Sequence, residues 1–281
     1  MEKQKKVYLI ISIVSCVIAL AALIAIGVLL LSVKRGQEDY MQLSRQARES
    51  DRPAAEHVVK REEEEIPEET MPDPVDIPVD FEFLKGENQD IIGWIQVEGT
   101  NIDYPVLYDT TYNMYYLNHS YKGTNTVYGS IFVLGENAGD FTDFNTVVYG
   151  HNMLNRTMFA QLHEFRKKEF FDSHGTITMY TPDRKLTYQV FAAYRRDNLN
   201  ILANNDFSTE ESRTEYINSI YAHDAVANFK PEYQVTASDR ILTLSTCIGN
   251  SAYRYVVQGV LVSDEYGIYT GTQSVDEGAE S

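Results

Sequence analysis

Cysteine, tryptophan and basic side chains are all scarce in this chain of 281 residues. The two cysteines exclude a small secreted domain held together by disulfides, and they also exclude a cysteine-rich zinc module. Lys and Arg number 24 against 41 Asp and Glu, which gives a net charge of −17. Because neutralising phosphates requires a basic face, this acidic excess excludes nucleic acid as the main partner.

Several functional motifs are also missing from the sequence. It contains no internal repeat, no heptad series and no glycine-rich phosphate loop. An acidic loop of the D-x-D-x-D-G type does not occur either, so we predict no metal site and no cofactor. The chain is instead rich in aromatic side chains, with 20 Tyr and 12 Phe in a composition that is 43% hydrophobic. Together with runs typical of strands, this composition predicts a β-rich folded domain rather than a helical bundle.

The longest apolar run lies near the N-terminus. Residues 7–33 include no charged side chain over 27 positions, and about 20 helical residues are enough to cross a bilayer. We therefore predict a single transmembrane helix at residues 7–33; the alternative is a cleavable signal peptide, whose apolar region spans only about 7–15 residues. Because only six residues precede the run, residues 1–6 are expected in the cytoplasm and the large C-terminal part outside the cell, although Lys34 and Arg35 weaken the charge bias.

Residues 34–80 have the composition of a stalk. They contain five of the eight prolines and the acidic run at 62–65. Such a segment buries too little apolar surface to offset its ordering entropy, so we expect an extended or partly helical spacer. The folded domain is then predicted at residues 81–270, followed by an acidic C-terminal tail at 271–281.

The folded domain shows short apolar runs separated by turn residues. These runs predict seven strands, at residues 91–97, 128–134, 146–149, 176–180, 186–194, 241–245 and 253–262. So many strands in one domain favour a barrel or a sandwich. Two helices are predicted between them: one carries the apolar stripe Met158, Phe159, Leu162 and Phe165, and the other begins at Ser208 with Glu211 completing a capping box.

Cys247 is the candidate nucleophile. It ends the apolar strand ILTLSTC, and because Cys16 lies in the predicted membrane helix, Cys247 is the lone thiol of the external domain. A cysteine on a strand is by itself more often a small buried hydrophobe. Arg254, however, follows at the start of the next strand, and a hairpin-like return would bring its guanidinium beside the thiol to hold an acyl oxygen. A surface arginine is the alternative interpretation of Arg254.

His151 is the candidate acid and base among six histidines. In VVYGHNM it directly follows a strand and Gly150, which permits a sharp turn. A Cys–His pair activates a nucleophile without a metal and needs only to be adjacent in space, while a structural histidine is the alternative. Four further residues are candidates for substrate binding, with turn formation or packing as the alternative in each case: Ser245, Thr246, Tyr128 and Tyr253.

These motifs closely resemble the sortase family of Gram-positive bacteria, and the wider pattern is similar to class B. The resemblance covers residues 81–262 and includes DIIGWIQVEGTNIDYPV, YYLNHS, GSIF, VVYGHNMLNRTMFAQL, ILTLSTC and RYVVQG. The helix predicted at Ser208 resembles the helical insertion that distinguishes class B from class A. The short interval between Cys247 and Arg254 departs from the family pattern and implies a compact loop.

The resemblance implies a mostly β fold, an eight-stranded sortase barrel with peripheral helices, and a cysteine transpeptidase of the thiol peptidase type in the cell membrane. Cys247 would attack a threonine carbonyl in the C-terminal sorting signal of a surface protein and form a thioacyl enzyme. His151 would protonate the leaving amine and later deprotonate the incoming one, and Arg254 would hold the peptide or the oxyanion. The acceptor would be an amino group of a peptidoglycan precursor or, in a pilin-polymerising enzyme, a pilin lysine.

Two alternatives come from other classes of protein. An L,D-transpeptidase also uses Cys, His and Arg, but that family carries His and Gly immediately before the cysteine, where this chain has Ser245 and Thr246. A non-catalytic, membrane-tethered extracellular binding module is the other alternative. It would make the coincidence of Cys247, His151 and Arg254 accidental.

Overall fold

The computed structural model describes residues 2–49, 73–223, 227–230, 232–249 and 252–269. These residues belong to two compact units, Met1–Gln42 and Leu43–Ser281. The first unit is occupied by most of helix α1 (Glu2–Arg48), which includes an apolar segment long enough to cross a membrane. Residues 50–72 of the predicted stalk and the predicted tail at 271–281 lie outside the described residues.

The second unit consists mainly of strands with short helices between them. Its helices are α2 (Phe81–Glu87), α3 (Lys168–Ser173), α4 (Glu210–Tyr221) and the two 3₁₀ helices Tyr115–Leu117 and Ala160–Arg166. Its strands are β1 (Val75–Asp76), β2 (Ile91–Val97), β3 (Asp103–Tyr108), β4 (Ile131–Val133), β5 (Asn145–Tyr149), β6 (Thr176–Tyr180), β7 (Arg184–Asp197), β8 (Asn228–Phe229), β9 (Ile241–Cys247) and β10 (Tyr253–Ile268).

Eight of the described strands close into a barrel. Their order is β10-β9-β5-β4-β3-β2-β6-β7, and pairing between β10 and β7 completes the circle. The pairs β3–β4 and β5–β9 are parallel, and the other neighbours in the barrel are antiparallel. The two-residue strands β1 and β8 extend the sheet from β10 and β7. The predicted mostly β, eight-stranded barrel with peripheral helices is therefore confirmed.

Strand bounds differ from the prediction where pairing or backbone geometry decides them. Strands β7 and β10 are longer than predicted because they pair with each other along almost their whole length, with two irregularities in register. The predicted strand at 128–134 shortens to β4, and Gly129 before it has a left-handed φ of 55°. Strand β3 was not predicted; it contains Pro105, which removes a ladder donor and weakens the strand pattern.

The helices also differ in detail from the prediction. The predicted apolar stripe is fully packed, with Met158, Phe159, Leu162 and Phe165 all at most 2% exposed, but the segment forms a 3₁₀ helix preceded by a left-handed Met158. The N-cap of helix α4 (Glu210–Tyr221) lies one residue later than the predicted Ser208. Thr209 is its N-cap and Ser212 completes the capping box, because a serine hydroxyl reaches the cap as a Glu side chain would.

The boundary predicted at residue 81 leaves out residues that pack in the folded unit. Strand β1 pairs with Gly267 and Ile268, and Ile77 and Val79 are fully buried. The last turn of α1 is also attached, since Arg48 Nη2 lies 2.5 Å from Asp103 Oδ1. The same carboxylate accepts a hydrogen bond of 2.6 Å from Trp94 Nε1. Part of the segment predicted as a stalk therefore belongs to the second unit.

Candidate active site

The parallel pair β5 and β9 brings two of the candidate residues to one end of the barrel. Tyr149 lies opposite Ser245 in the register of the two strands. Beyond this pair, Gly150 N donates to Ser245 O at 3.2 Å, and Thr246 Oγ1 donates to Gly150 O at 2.8 Å. His151 and Cys247 follow at equivalent positions, so they leave neighbouring strands at the same edge of the sheet.

The antiparallel pair β9 and β10 places Arg254 directly opposite Cys247. Its Nη1 donates a hydrogen bond to Cys247 Sγ, and its Nε donates to Asn198 Oδ1 at 2.6 Å. Asn198 follows the end of β7, so a third strand contributes to holding the guanidinium. The structure thus contains the hairpin-like return that the spacing of Cys247 and Arg254 indicates.

The ring of His151 is oriented by a backbone carbonyl. His151 Nε2 lies 2.6 Å from Leu117 O, and because a carbonyl only accepts, Nε2 must carry the proton. Gly129 packs against this carbonyl. A Cβ added at Gly129 would lie only 2.3 Å from Leu117 O and would collide with it. A glycine at this left-handed position therefore allows the carbonyl to reach the histidine.

Gly150, which precedes His151, is needed for a different reason from the one predicted. Its φ is not in the left-handed region. An added Cβ would lie 2.5 Å from Ile131 Cδ1 and 2.7 Å from the ring of Phe159. Close packing under the strand end, rather than a turn that only glycine can adopt, therefore explains the small residue before His151.

A cavity of about 220 Å³ opens beside Arg254. Ser245 and Tyr149 form one wall, the segment 196–201 forms another, and Met114 lies at the rim. Burial raises the pKa of Tyr149, so its phenol stays protonated near neutral pH and keeps a hydrogen to donate. The cavity therefore combines apolar walls with hydrogen-bond donors, as ligand pockets commonly do.

The four residues predicted to bind substrate are placed in different environments. Ser245 lines the cavity, whereas the described lining does not include Thr246, Tyr128 or Tyr253. Thr246 instead ties Gly150 to β9 through its hydroxyl, and Tyr128 is buried. Tyr253 is 39% exposed at the start of β10, where the guanidinium of Arg195 lies 4.8 Å from its ring centre.

A buried polar network supports the strands that carry the site. Tyr216 of α4 accepts hydrogen bonds of 2.9 Å from Asn145 on β5 and from Gln258 on β10. Thr243 on β9 donates to Asn145 Oδ1 at 2.8 Å and accepts from Gln258 at 2.8 Å. Helix α4 is therefore hydrogen-bonded into the wall of the barrel that holds the candidate nucleophile.

One residue beside Cys247 was not predicted to belong to the site. His163 lies in the 3₁₀ helix Ala160–Arg166, and its Nε2 is 2.9 Å from Cys247 O. A weak signal exists in the sequence, because His163 follows Phe159 by four residues and so shares the side of the helix that packs inward. Asn198, the second partner of Arg254, was also missed, and nothing in its sequence context distinguishes it from a turn residue.

Comparisons with known proteins identify relatives of this chain. Residues 95–262 match the model of the Sortase domain family. Sortase B of Listeria monocytogenes serovar 1/2a is 34% identical over 183 residues, which are 64% of this chain and 73% of the relative. Sortase B of Staphylococcus aureus is 32% identical over 182 residues, which are 65% of this chain and 72% of that protein.

The structure is also similar to solved structures. The Staphylococcus aureus sortase B–substrate complex superposes with a TM-score of 0.65 at 26% identity, covering 83% of this chain and 99% of that one. The similarity therefore extends over almost the whole of the solved chain, including its helices.

Proposed function

The chain belongs to the sortase family of cysteine transpeptidases, with class B members as its relatives, and we propose that it is a membrane-anchored enzyme that attaches surface proteins to the cell wall. The donor is a protein with a C-terminal sorting signal cleaved after threonine, and the acceptor is an amino group of a peptidoglycan precursor. The hydrogen bond from Arg254 to Cys247 Sγ, beside a peptide-sized cavity, is the observation that carries this proposal.

The first half of the reaction is acylation of Cys247. The thiol proton of Cys247 passes to His151, the sulfur attacks the threonine carbonyl carbon, the S–C bond forms, and the carbon–nitrogen bond of the following peptide unit breaks. The leaving amine takes a proton from His151, whose position at the neighbouring strand end supports this role. Negative charge that develops on the carbonyl oxygen is stabilised by the guanidinium of Arg254.

The second half returns the acyl group to nitrogen. The acceptor amine loses a proton to His151 and attacks the thioester, an amide bond forms, the S–C bond breaks, and the sulfur of Cys247 takes the proton back from His151. One amide is broken and another is made, and the thioester keeps the acyl group reactive in between. The reaction therefore needs no external energy source.

The sorting peptide occupies the cavity beside Arg254. Ser245 and Tyr149 supply hydrogen-bond donors there, and Met114 and Leu199 supply apolar surface at the rim. Thr246, Tyr128 and Tyr253 act on substrate indirectly, by holding the strands and loops that form the groove. Ser245 is thus the predicted binding residue with the strongest support from its placement.

The N-terminal part anchors the enzyme in the cell membrane. Residues 1–6 lie in the cytoplasm, residues 7–33 span the bilayer once, and the barrel faces the outside, where the cell-wall precursor is accessible. The apolar segment of α1 supports this arrangement, as do the lysines that precede it.

Mass spectrometry of the full chain in detergent tests the proposal. Incubation with a peptide carrying a threonine-containing sorting motif should give an acyl adduct on Cys247, and adding an amine should convert the adduct to a transfer product. Cys247→Ala and His151→Ala should each fold normally and abolish transfer. Cys16→Ala is the matched control and should transfer at the normal rate. An adduct on Cys16, or transfer by Cys247→Ala, would contradict the proposal.

The same assay, run with two different amines, identifies the acceptor. A cross-bridge peptide from a peptidoglycan precursor should be consumed faster than a lysine side chain within a pilin domain. The opposite preference would replace the cell-wall role with pilin polymerisation and leave the chemistry at Cys247 unchanged.

A further inference from the structure

His163 contacts the backbone of the candidate nucleophile, Cys247. Its Nε2 lies 2.9 Å from Cys247 O. The helix that carries it is fixed in place, because the neighbouring Leu162 and Phe165 are both fully buried. The imidazole is therefore delivered to the end of β9 by a rigid element rather than by a mobile loop.

The direction of this hydrogen bond fixes the tautomer of His163. A backbone carbonyl only accepts, so Nε2 must carry a hydrogen. Burial lowers the pKa of His163, the hydrogen bond to Cys247 raises it by less, and the charge of Arg166 lowers it further while Glu164 opposes that effect. The ring is accordingly neutral at pH 7, with Nδ1 unprotonated.

The rings of His163 and Tyr255 are neighbours, and each ring carries a buried polar atom. Among the described residues, neither His163 Nδ1 nor Tyr255 Oη has a hydrogen-bond partner, and the centres of the two rings are 5.2 Å apart. Tyr255 is opposite Thr246 in the β9–β10 register, and the guanidinium of Arg166 lies 4.9 Å from the Tyr255 ring. Keeping unpaired polar atoms buried costs free energy, so packing alone does not account for a histidine here.

We propose that His163 is a positioning residue for the transpeptidase, whose Nε2–H holds the carbonyl of Cys247 and so fixes the peptide plane at the end of β9. This role rests on the proposed function, in which Cys247 is the nucleophile. Strand β9 ends at Cys247, so this carbonyl lies where the ladder gives way to a loop. Arg254 fixes the sulfur of Cys247, and His163 fixes its main chain.

Steady-state kinetics of the full chain in detergent test the proposal. His163→Phe keeps a planar ring against Tyr255 and removes the donor, whereas His163→Gln restores an N–H at a similar reach. Because small misplacements of a reacting atom are costly, His163→Phe should lower kcat about tenfold to 100-fold with KM almost unchanged. His163→Gln should recover kcat to within about threefold of the wild type, as expected of a hydrogen bond that both side chains can donate.

The matched control is His174→Phe. His174 is also partly buried and stacks on Phe170 at 4.3 Å, and its Nδ1 lies 3.2 Å from the carbonyl of Phe170, outside the site. Its substitution should leave kcat within about twofold, as is usual away from a site. A fall in kcat of less than about fivefold for His163→Phe, relative to this control, would overturn the proposal. So would a His163→Gln variant that is no faster than His163→Phe.

A measurement on the unaltered chain covers the case in which His163→Phe does not fold. Nitrogen NMR of protein labelled in histidine, assigned by the signal lost in His163→Gln, reports which ring nitrogen carries the proton. A neutral Nε2–H form at pH 7 supports the proposal, and an Nδ1–H form overturns it. Cys247→Ala separates the two proposals: transfer by that variant refutes the proposed function, whereas a silent Cys247→Ala with fully active His163→Phe refutes only the positioning role.

Discussion

Arg254 illustrates how a single side chain combines charge with shape. Its guanidinium is permanently charged, but its two hydrogen bonds, to Cys247 Sγ and to Asn198 Oδ1, leave from different nitrogens of one rigid plane. A lysine ammonium keeps the charge and has no such fork. The contribution of geometry can therefore be separated from that of charge by one substitution.

We expect Arg254→Lys to fold normally and to transfer sorting peptide about 100-fold to 1,000-fold more slowly, as is typical when a donor to a developing oxyanion is lost. Cys247 should still react with iodoacetamide, because the thiol remains accessible. The matched control is Arg195→Lys, since Arg195 stacks on Tyr253 and is outside the described cavity lining. If Arg254→Lys transferred peptide at a rate within about threefold of the wild type, backbone N–H groups rather than Arg254 would stabilise the oxyanion.

Helix α4 shows how a peripheral element supports the barrel. Ile217, Ile220 and Tyr216 are buried on its face toward the barrel. The hydroxyl of Tyr216 also accepts hydrogen bonds from the side-chain amides of Asn145 and Gln258. Burial raises the pKa of Tyr216, so the hydroxyl remains neutral within this network. Buried networks of this kind are stable only when every member is paired.

Tyr216→Phe should therefore destabilise the fold although it removes one atom. The amides of Asn145 and Gln258 lose an acceptor while remaining buried, which costs about 1–3 kcal/mol in the free energy of unfolding. Urea denaturation followed by circular dichroism measures this loss. Tyr221→Phe on the same helix is the control, because within the described residues that hydroxyl makes only a long contact of 3.4 Å with Tyr233 O. Equal stabilities of the two variants would contradict the role of the network.

The start of β6 depends on a carboxylate. Glu98 Oε2 accepts hydrogen bonds of 3.1 Å from the backbone of Gly175 and of Thr176. The N–H of Gly175 is the main reason that the pKa of Glu98 lies below its ordinary value of 4.5. A depressed folded-state pKa adds stability above the unfolded-state pKa, and this stability is lost as the pH falls through the folded-state value.

Glu98→Gln should accordingly lower the Tm at pH 7, and the difference from wild type should shrink when the pH falls to about 3, below the ordinary pKa of a glutamate. Thermal unfolding at both pH values checks this expectation. Glu169→Gln, at an exposed position of α3, is the control for general charge effects. A difference that stays constant between the two pH values would show that Glu98 contributes no linked stability.

The folded unit extends further toward the N-terminus than its catalytic motifs. Strand β1 pairs with the end of β10, and Ile77 and Val79, which follow β1, are buried. Arg48 forms an ion pair with Asp103 and so attaches the last turn of α1. These segments contribute no residue to the described cavity lining. The described contacts of these segments therefore support a role in the stability of the barrel.

A chain that begins at Asp73 should fold on its own, whereas one that begins at Phe81 should be less stable. Loss of the buried Ile77 and Val79 side chains alone removes about 1.5–3 kcal/mol each. Circular dichroism and the fluorescence of Trp94, which is the single tryptophan of the chain, report the midpoint of unfolding for both. Identical unfolding midpoints would show that β1 and the residues after it contribute no stability to the barrel.

Local sequence signals predicted the parts of this protein that depend on nearby residues. The apolar run at 7–33, most of the barrel strands and the return from Cys247 to Arg254 all follow from short-range patterns, because a hairpin pairs residues that are close in sequence. His151 was predicted for the same reason, as a histidine directly after a strand, and its catalytic role stays a prediction. The family motifs then indicated the closed barrel and the chemistry, and the comparisons confirm the family.

Tertiary packing decided the rest. His163 reaches the carbonyl of a residue 84 positions away, and no local pattern reveals which strand end lies above a given helix. Tyr128 and Thr246 have the residue types of a binding site, but the barrel buries the first and uses the hydroxyl of the second between β5 and β9. The N-terminal boundary moved because Val75 and Asp76 pair with the far end of the chain, a contact whose loop-closure entropy is repaid only once the whole barrel has formed.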